Sequence, residues 1–444
     1  MKRGAALLAV ALLAACAPER QAPVVTAPQP RAPALATAVP AGGTAWSNAS
    51  LAKVFTELTH GLEWGPSRPA LVRYEAPVRV AMGGPGSGAY FGFLDRYLTL
   101  LRREAGIDIA RGPGAANLHI RFVAGPDFTR RLPRISCVVA PGDLTWAEFR
   151  ANPDRLGGRS LERAFRISAM TIFLPESAAP YLIRSCLIEE IAQALGPAND
   201  LYGLGPSIFN DDAAHIWPTA LDLMVLKVLY QPEMRSGLGR RETERRAREI
   251  LARLNPEGAR APALTLPSQR AMGAWRETHA EVFSRATSQN RAPDLARRAL
   301  EIAAARAPES AYHCHAQRTL GRVLARTRPG EALAVLGEAT RLCARVHGRS
   351  DIRLSLIALE RAVALIRQGS YAAALATLNA HEGRLAALGQ EERLAALYGL
   401  KAQALGGAGL LSEADRARRQ AHIWAAYAYG AQSSQATRFA KDGS

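Results

Sequence analysis

The chain has 444 residues, with 48% apolar and 21% charged side chains and a mean hydropathy of −0.07. At roughly 150 residues per domain this suggests two or three domains, and the balance excludes both a polytopic membrane protein and a wholly disordered chain. Five cysteines are too few for a disulfide-scaffolded fold of this size. Lysine and arginine number 56 against 39 acidic residues, giving a net charge of +17, and only five of the 56 are lysines. The arginines are spread along the chain rather than gathered in runs with aromatics, so no nucleic-acid partner is expected. Anionic lipid headgroups or envelope polymers fit such a charge better.

The N-terminus reads as an address. Lys2 and Arg3 precede an unbroken apolar run, Ala5 to Ala15. A membrane-spanning helix needs about 20 residues, so this run suits the core of a signal peptide instead. It ends in Leu13-Ala14-Ala15-Cys16, which resembles the bacterial lipobox. The resemblance implies cleavage of residues 1–15, lipidation of Cys16 and, with Ala17 rather than Asp next, an outer-membrane anchor facing the periplasm. More than one acyl chain anchors stably. In that oxidising compartment the other cysteines can pair. Cys137–Cys186 and Cys314–Cys343 are the expected bridges.

Residues 16–44 are rich in Pro and Ala and read as an extended tether. From 45 to about 255, strand and helix signals alternate. Helical spacing runs over Leu51–His60, Tyr90–Glu104, Pro180–Leu195 and Thr219–Tyr230. Strands are predicted within Leu71–Met82, over Leu118–Phe122, Ile135–Ala140 and Ser168–Leu174. This order predicts an α+β domain with a mixed sheet. The prolines at 256, 262 and 267 mark a boundary, and 268–435 reads as all helix. Ala296, Ala332, Ala374 and Ala414 recur 36, 42 and 40 residues apart, in similar surroundings. Small residues there let helices approach closely. The pattern resembles degenerate tetratricopeptide repeats.

One constellation could carry chemistry. Glu189-Glu190-Ile191-Ala192-Gln193-Ala194-Leu195-Gly196-Pro197-Ala198-Asn199-Asp200 resembles the metzincin zinc-peptidase motif His-Glu-x-x-His-x-x-Gly-x-x-His. There, two histidines one turn apart grip the metal, a glutamate is the general base, and a glycine lets the third ligand return. On that pattern Glu190 falls on the base and Gly196 on the glycine. Glu189, Gln193 and Asn199 replace the three histidines, and Phe209 falls in the region of the methionine turn. Oxygen donors of this kind suit zinc poorly, so no metal and no cofactor are expected. The same stretch resembles a family of proteobacterial lipoproteins known as a domain of unknown function (twenty-nine twenty-seven), whose Glu-Glu-x-x-Gln-x-Leu-Gly and Asn-Asp match Glu189, Glu190, Gln193, Leu195, Gly196, Asn199 and Asp200. A plainer reading makes Cys186, Glu189, Glu190 and Gln193 the solvated face of an amphipathic helix.

The glycine-rich run 83–88 lacks the residues of a phosphate loop. His313-Cys314-His315 points in several directions on a helix and reads as core and surface. The expected function is therefore a membrane-anchored periplasmic binding or scaffolding protein. A catalytically inactive metzincin-like domain would line a cleft with Glu189, Gln193, Asn199 and Asp200, and the repeats would take a protein or peptide partner. The alternative is an envelope metallohydrolase with Glu190 as general base.

Overall fold

The structure, a computed structural model, describes residues 46–62, 67–112, 115–133, 135–152, 166–210, 214–263, 271–284 and 286–442. The expected signal peptide, Cys16 and the tether 16–44 lie outside the described residues.

The first half is an α/β unit on a five-stranded mixed sheet. Its strands are β1 (Val78–Gly83), β2 (Ile109–Arg111), β3 (Leu118–Val123), β4 (Val138–Pro141) and β5 (Met170–Pro175), in the order β2-β1-β3-β5-β4. The first four in that order run parallel, and β4 pairs antiparallel with β5 (Val139 opposite Ile172). Parallel neighbours need crossover connections. The first is α2 (Phe91–Leu100), which runs on through a π turn at Leu101–Ala105. Every residue of β5 is buried, as expected of a strand covered on both faces.

Helix α1 (Asn48–His60), capped by the Ser47 hydroxyl on the Ser50 amide, packs on α7 (Arg240–Leu254). Helices α3 (Gly125–Arg131) and α4 (Trp146–Ala151) build a small aromatic core on the β4 side from Phe128, Trp146, Phe149 and Phe173. Helix α5 (Pro180–Ala194) follows β5, and α6 (Ala220–Leu229) begins at a Thr219–Asp222 capping box. Hydrophobic spacing marks α1, α2, α5 and α6 but not β2, α3, α4 or α7. The first three are too short to show a period. α7 is so rich in arginine and glutamate that only Thr243, Ala247, Ile250 and Leu251 are buried.

The second half is helical throughout its described residues. The helices are α8 (Gly273–Val282), α9 (Ala292–Arg306), α10 (Ala311–Leu324), α11 (Pro329–His347), α12 (Ile352–Arg367), α13 (Tyr371–Ala387), α14 (Glu391–Gly407), α15 (Leu411–Tyr429) and α16 (Ser434–Asp442). Each packs on the next. α10 also touches α12, and α12 touches α14, so the even-numbered helices form an inner layer. The recurrent alanines 296, 332, 374 and 414 are all fully buried. Disulfides join Cys137, just before β4, to Cys186 on α5 (Cα–Cα 6.0 Å), and Cys314 on α10 to Cys343 on α11 (5.0 Å).

The two halves are not strung apart. α15 returns to the start of α5. There Arg184 pairs with Glu391 at 2.6 Å and lies over the Tyr427 ring, 4.2 Å from its centre, while Tyr181 meets Tyr429 edge-on.

Candidate functional site

The motif helix α5 begins with Pro180 in its first turn, where a missing N–H costs nothing. Its buried residues are Ile183, Cys186, Leu187, Ile188, Glu190, Ile191, Ala192, Gln193 and Ala194, which cover every face. This corrects the reading of Cys186, Glu189, Glu190 and Gln193 as a solvated face: Cys186, Glu190 and Gln193 are 2%, 7% and 6% exposed, and Glu189 is half-buried. The reason is position. The helix is enclosed by β4 and β5, by α2 and by α15, with Tyr97 donating a hydrogen bond to the Ile188 carbonyl at 3.0 Å.

Beyond the helix the motif residues act as struts. Gln193 donates from its amide to both carboxylate oxygens of Asp200 at 3.1 Å. Asn199 donates to the Glu57 carbonyl of α1 at 3.0 Å. Gly196 adopts φ +144°, and a Cβ there would stand 2.9 Å from the Val72 carbonyl oxygen. The Gly196 carbonyl accepts from Arg68, which also donates to the Thr59 carbonyl. Arg68 is 3% exposed, and desolvation lowers its pKa to about 10. Beside it His60, fully buried, reaches the Arg68 carbonyl and the Thr243 hydroxyl (3.0 Å). Burial brings its pKa down to about 4, so it is a neutral imidazole. The carbonyl of Leu195 accepts from Tyr230 at 3.0 Å.

The chain then turns back on itself. The Leu201 amide bonds the Phe209 carbonyl, and Phe209 is fully buried. The turn is fixed by Asp222, which accepts from the Ser207 hydroxyl, the Ile208 amide and both the amide and hydroxyl of Thr219. Burial pushes the Asp222 pKa up, and these hydrogen bonds oppose it.

The structure thus joins Gln193 to Asp200 but ties Asn199 to α1. The metzincin resemblance implies zinc, and the residues present do not fit it. Zinc sites take imidazole or thiolate donors in a tetrahedron. Here the two amides that replace histidines donate hydrogen bonds within the protein, and Cys186 is in a disulfide. Among the described residues no three His, Cys, Asp or Glu side chains come together as a metal would require.

What the sequence did not reveal is the role of the described residues 201–210 and 214–217, several of which meet the inner helices of the second half. The Tyr202 ring lies 4.7 Å from Trp275 of α8 and 5.4 Å from Tyr312 of α10. Arg353 of α12 reaches the Gly205 carbonyl at 3.4 Å. His215 lies 3.5 Å from Asp351, and Ala214 is buried among Ile352, Leu356 and Leu394. The only sequence trace of this contact is a run of aromatic and apolar residues in a stretch otherwise full of turn formers.

Residues 48–249 match the model of a family described as Protein of unknown function (DUF2927). No curated protein and no solved structure matches the chain.

Proposed function

We propose that this is a lipid-anchored periplasmic binding or scaffolding protein, with a zincin-like domain that has lost its catalytic metal and a tetratricopeptide-like repeat domain. The observation that carries the reading is the bonding of the motif. The register of Glu190, Gly196 and Asn199 is kept, yet Gln193 and Asn199 serve as internal donors to Asp200 and Glu57. With the amides that replace two of the histidines already engaged inside the protein, the helix serves as a structural axle between the sheet and the repeats. The antiparallel edge strand β4 offers a place for an extended peptide to add as a further strand. For the anchor, the support is the lipobox-like Leu13-Ala14-Ala15-Cys16. No helix among the described residues is long and apolar enough to cross a membrane.

Two measurements test this. Cys16→Ser is expected to leave an unprocessed precursor without lipid label, and normal cleavage and membrane attachment of that variant would refute the anchor. Elemental analysis of the purified protein, with a general peptidase assay, is expected to find neither stoichiometric zinc nor turnover. Zinc at one per chain, or peptide hydrolysis abolished by Glu190→Gln, would establish the hydrolase instead.

A further inference from the structure

Between residue Tyr202 and the inner helices lies a cavity of about 680 Å³. Sites for small molecules are commonly ~300–1,000 Å³, apolar in the main, with a few placed polar groups. The composition of this one is lopsided. Part of the lining is aromatic: Tyr202, His279 and Phe283, with the fully buried Trp275 ring stacked on His279 at 4.8 Å. The lining is also cationic: Arg318 and Arg322 of α10 lie in it, with Arg276 and Arg393, which have partners of their own.

Two of these arginines are held differently. Arg318 is clamped by Glu360 through its Nε and one Nη at 2.8–3.2 Å, which orients the guanidinium and leaves its other terminal nitrogen unused by that clamp. Arg322 has no carboxylate partner among the described residues, and its guanidinium rests 5.1 Å from the centre of the Phe283 ring. Phe283 is 47% exposed, one of few large apolar side chains so open. Deeper in, the Trp275 indole N–H is buried without a hydrogen-bond partner among the described residues, on a side chain that is itself fully buried. His279 has its pKa lowered to about 4 by burial and by the charges of Arg318 and Arg322, and His315 is lowered for the same reasons. Both imidazoles are therefore neutral, chiefly through burial.

We propose that this cavity is a binding site for a small organic anion, a molecule with one acidic group and a flat apolar body. The acid group is recognised by Arg322 and Arg318, since a guanidinium fork matches a carboxylate in two parallel hydrogen bonds. The flat body lies against the aromatic part of the lining, where stacking adds to area burial. A neutral aromatic would leave Arg322 without an anion, and an inorganic anion would leave the exposed Phe283 ring uncovered. The site is separate from the motif on α5, so its test stands whether or not the pseudo-peptidase reading does.

The experiment is calorimetric titration of the full chain in detergent with 1-naphthaleneacetate, using 1-naphthaleneacetamide as the neutral isostere and inorganic phosphate as the bare anion. The acid is expected to bind at one per chain, at least about tenfold tighter than the amide, a difference of about 1.4 kcal/mol, with phosphate weaker than the acid. Arg322→Gln is expected to bring the acid down to the level of the amide, while Arg322→Lys keeps part of the preference. Arg322 lies on the cavity wall and its noted contact is the Phe283 ring, so both variants should fold; matching thermal melts verify this. Equal affinity for acid and amide, an undiminished acid affinity in Arg322→Gln, or no saturable binding of the acid up to about 10 mM would overturn the proposal.

Discussion

The motif glycine gives the sharpest test of the structural account. Gly196 holds φ +144°, a backbone conformation that L side chains rarely adopt, and an added Cβ would stand 2.7 Å from Leu229 Cδ2 and 2.9 Å from the Val72 carbonyl oxygen. Leu229 can rotate away. Val72 cannot, because its neighbour Leu71 is bonded to both Gly237 and Leu238 through the backbone. Gly196→Ala therefore combines backbone strain of about 1–3 kcal/mol with overpacking of about 1–3 kcal/mol, for an expected loss near 3 kcal/mol. For a folding unit of roughly 200 residues, that lowers Tm by about 6–12 °C. Gly88→Ala is the control: it has open space around it and should stay within about 0.5 kcal/mol. Calorimetry on both variants decides the matter. If Gly196→Ala melts with the parent, the packing argument is refuted and the glycine must be held for another reason.

Replacing Cys137 and Cys186 together with alanine opens a loop spanning 49 residues and should cost about 4 kcal/mol in the chain-entropy account; an unchanged urea midpoint under non-reducing conditions would contradict it. His60 has a folded pKa of about 4 against an ordinary value of 6.5, so the unfolded chain binds its proton more readily. The stability it contributes is complete above about pH 6.5 and is lost as pH falls toward 4, about 3 kcal/mol in all; comparing urea midpoints at neutral and acid pH should show a smaller acid loss in His60→Gln than in the parent. Arg353 and Asp351 form a buried pair, 3% and 1% exposed at the side chain. Arg353→Ala should cost about 3 kcal/mol and admit protease within residues 201–210, where Arg353 reaches the Gly205 carbonyl; an unaltered digestion pattern would show that this pair does not fasten them.

Much of the fold was legible because the long elements carry their period openly. Leu51, Val54, Phe55 and Leu58 all turn inward on α1, and Leu118, Ile120 and Phe122 are the buried positions of an alternating strand. The four recurrent alanines, expected as close helix contacts, are all fully buried. The site was harder to read. A stretch such as Glu189-Glu190 looks solvated by composition, and nothing local announces that α15 and the sheet enclose it. The cavity does have a trace in the sequence. His315, Arg318, Thr319 and Arg322 fall at i, i+3, i+4 and i+7, and Trp275, His279 and Phe283 at i, i+4 and i+8. On these helices one stripe is cationic or aromatic where a simple core would be aliphatic.

Residues 201–210 and 214–217 also bear on the proposed partner of the helical half. A stack of helices can bind along its inner layer, and here the chain's own residues lie on part of it. Ala214 is fully enclosed by apolar side chains of α12 and α14, and Gly203 sits so close to Tyr312 that a methyl group would approach its ring to 2.8 Å. Contacts of this closeness follow from side chains packed to interior density, not from a loosely laid loop. A macromolecule seeking the same face must displace them or use what they leave open. What they leave open is the cavity beside Tyr202, sized for a small molecule, and the outer, odd-numbered helices. Under the two proposals made above, small-ligand recognition would fall inside and protein contact outside. It also ties the two halves chemically, since Asp200, bonded to Gln193 of the motif helix, stands two residues from the Tyr202 that walls the cavity.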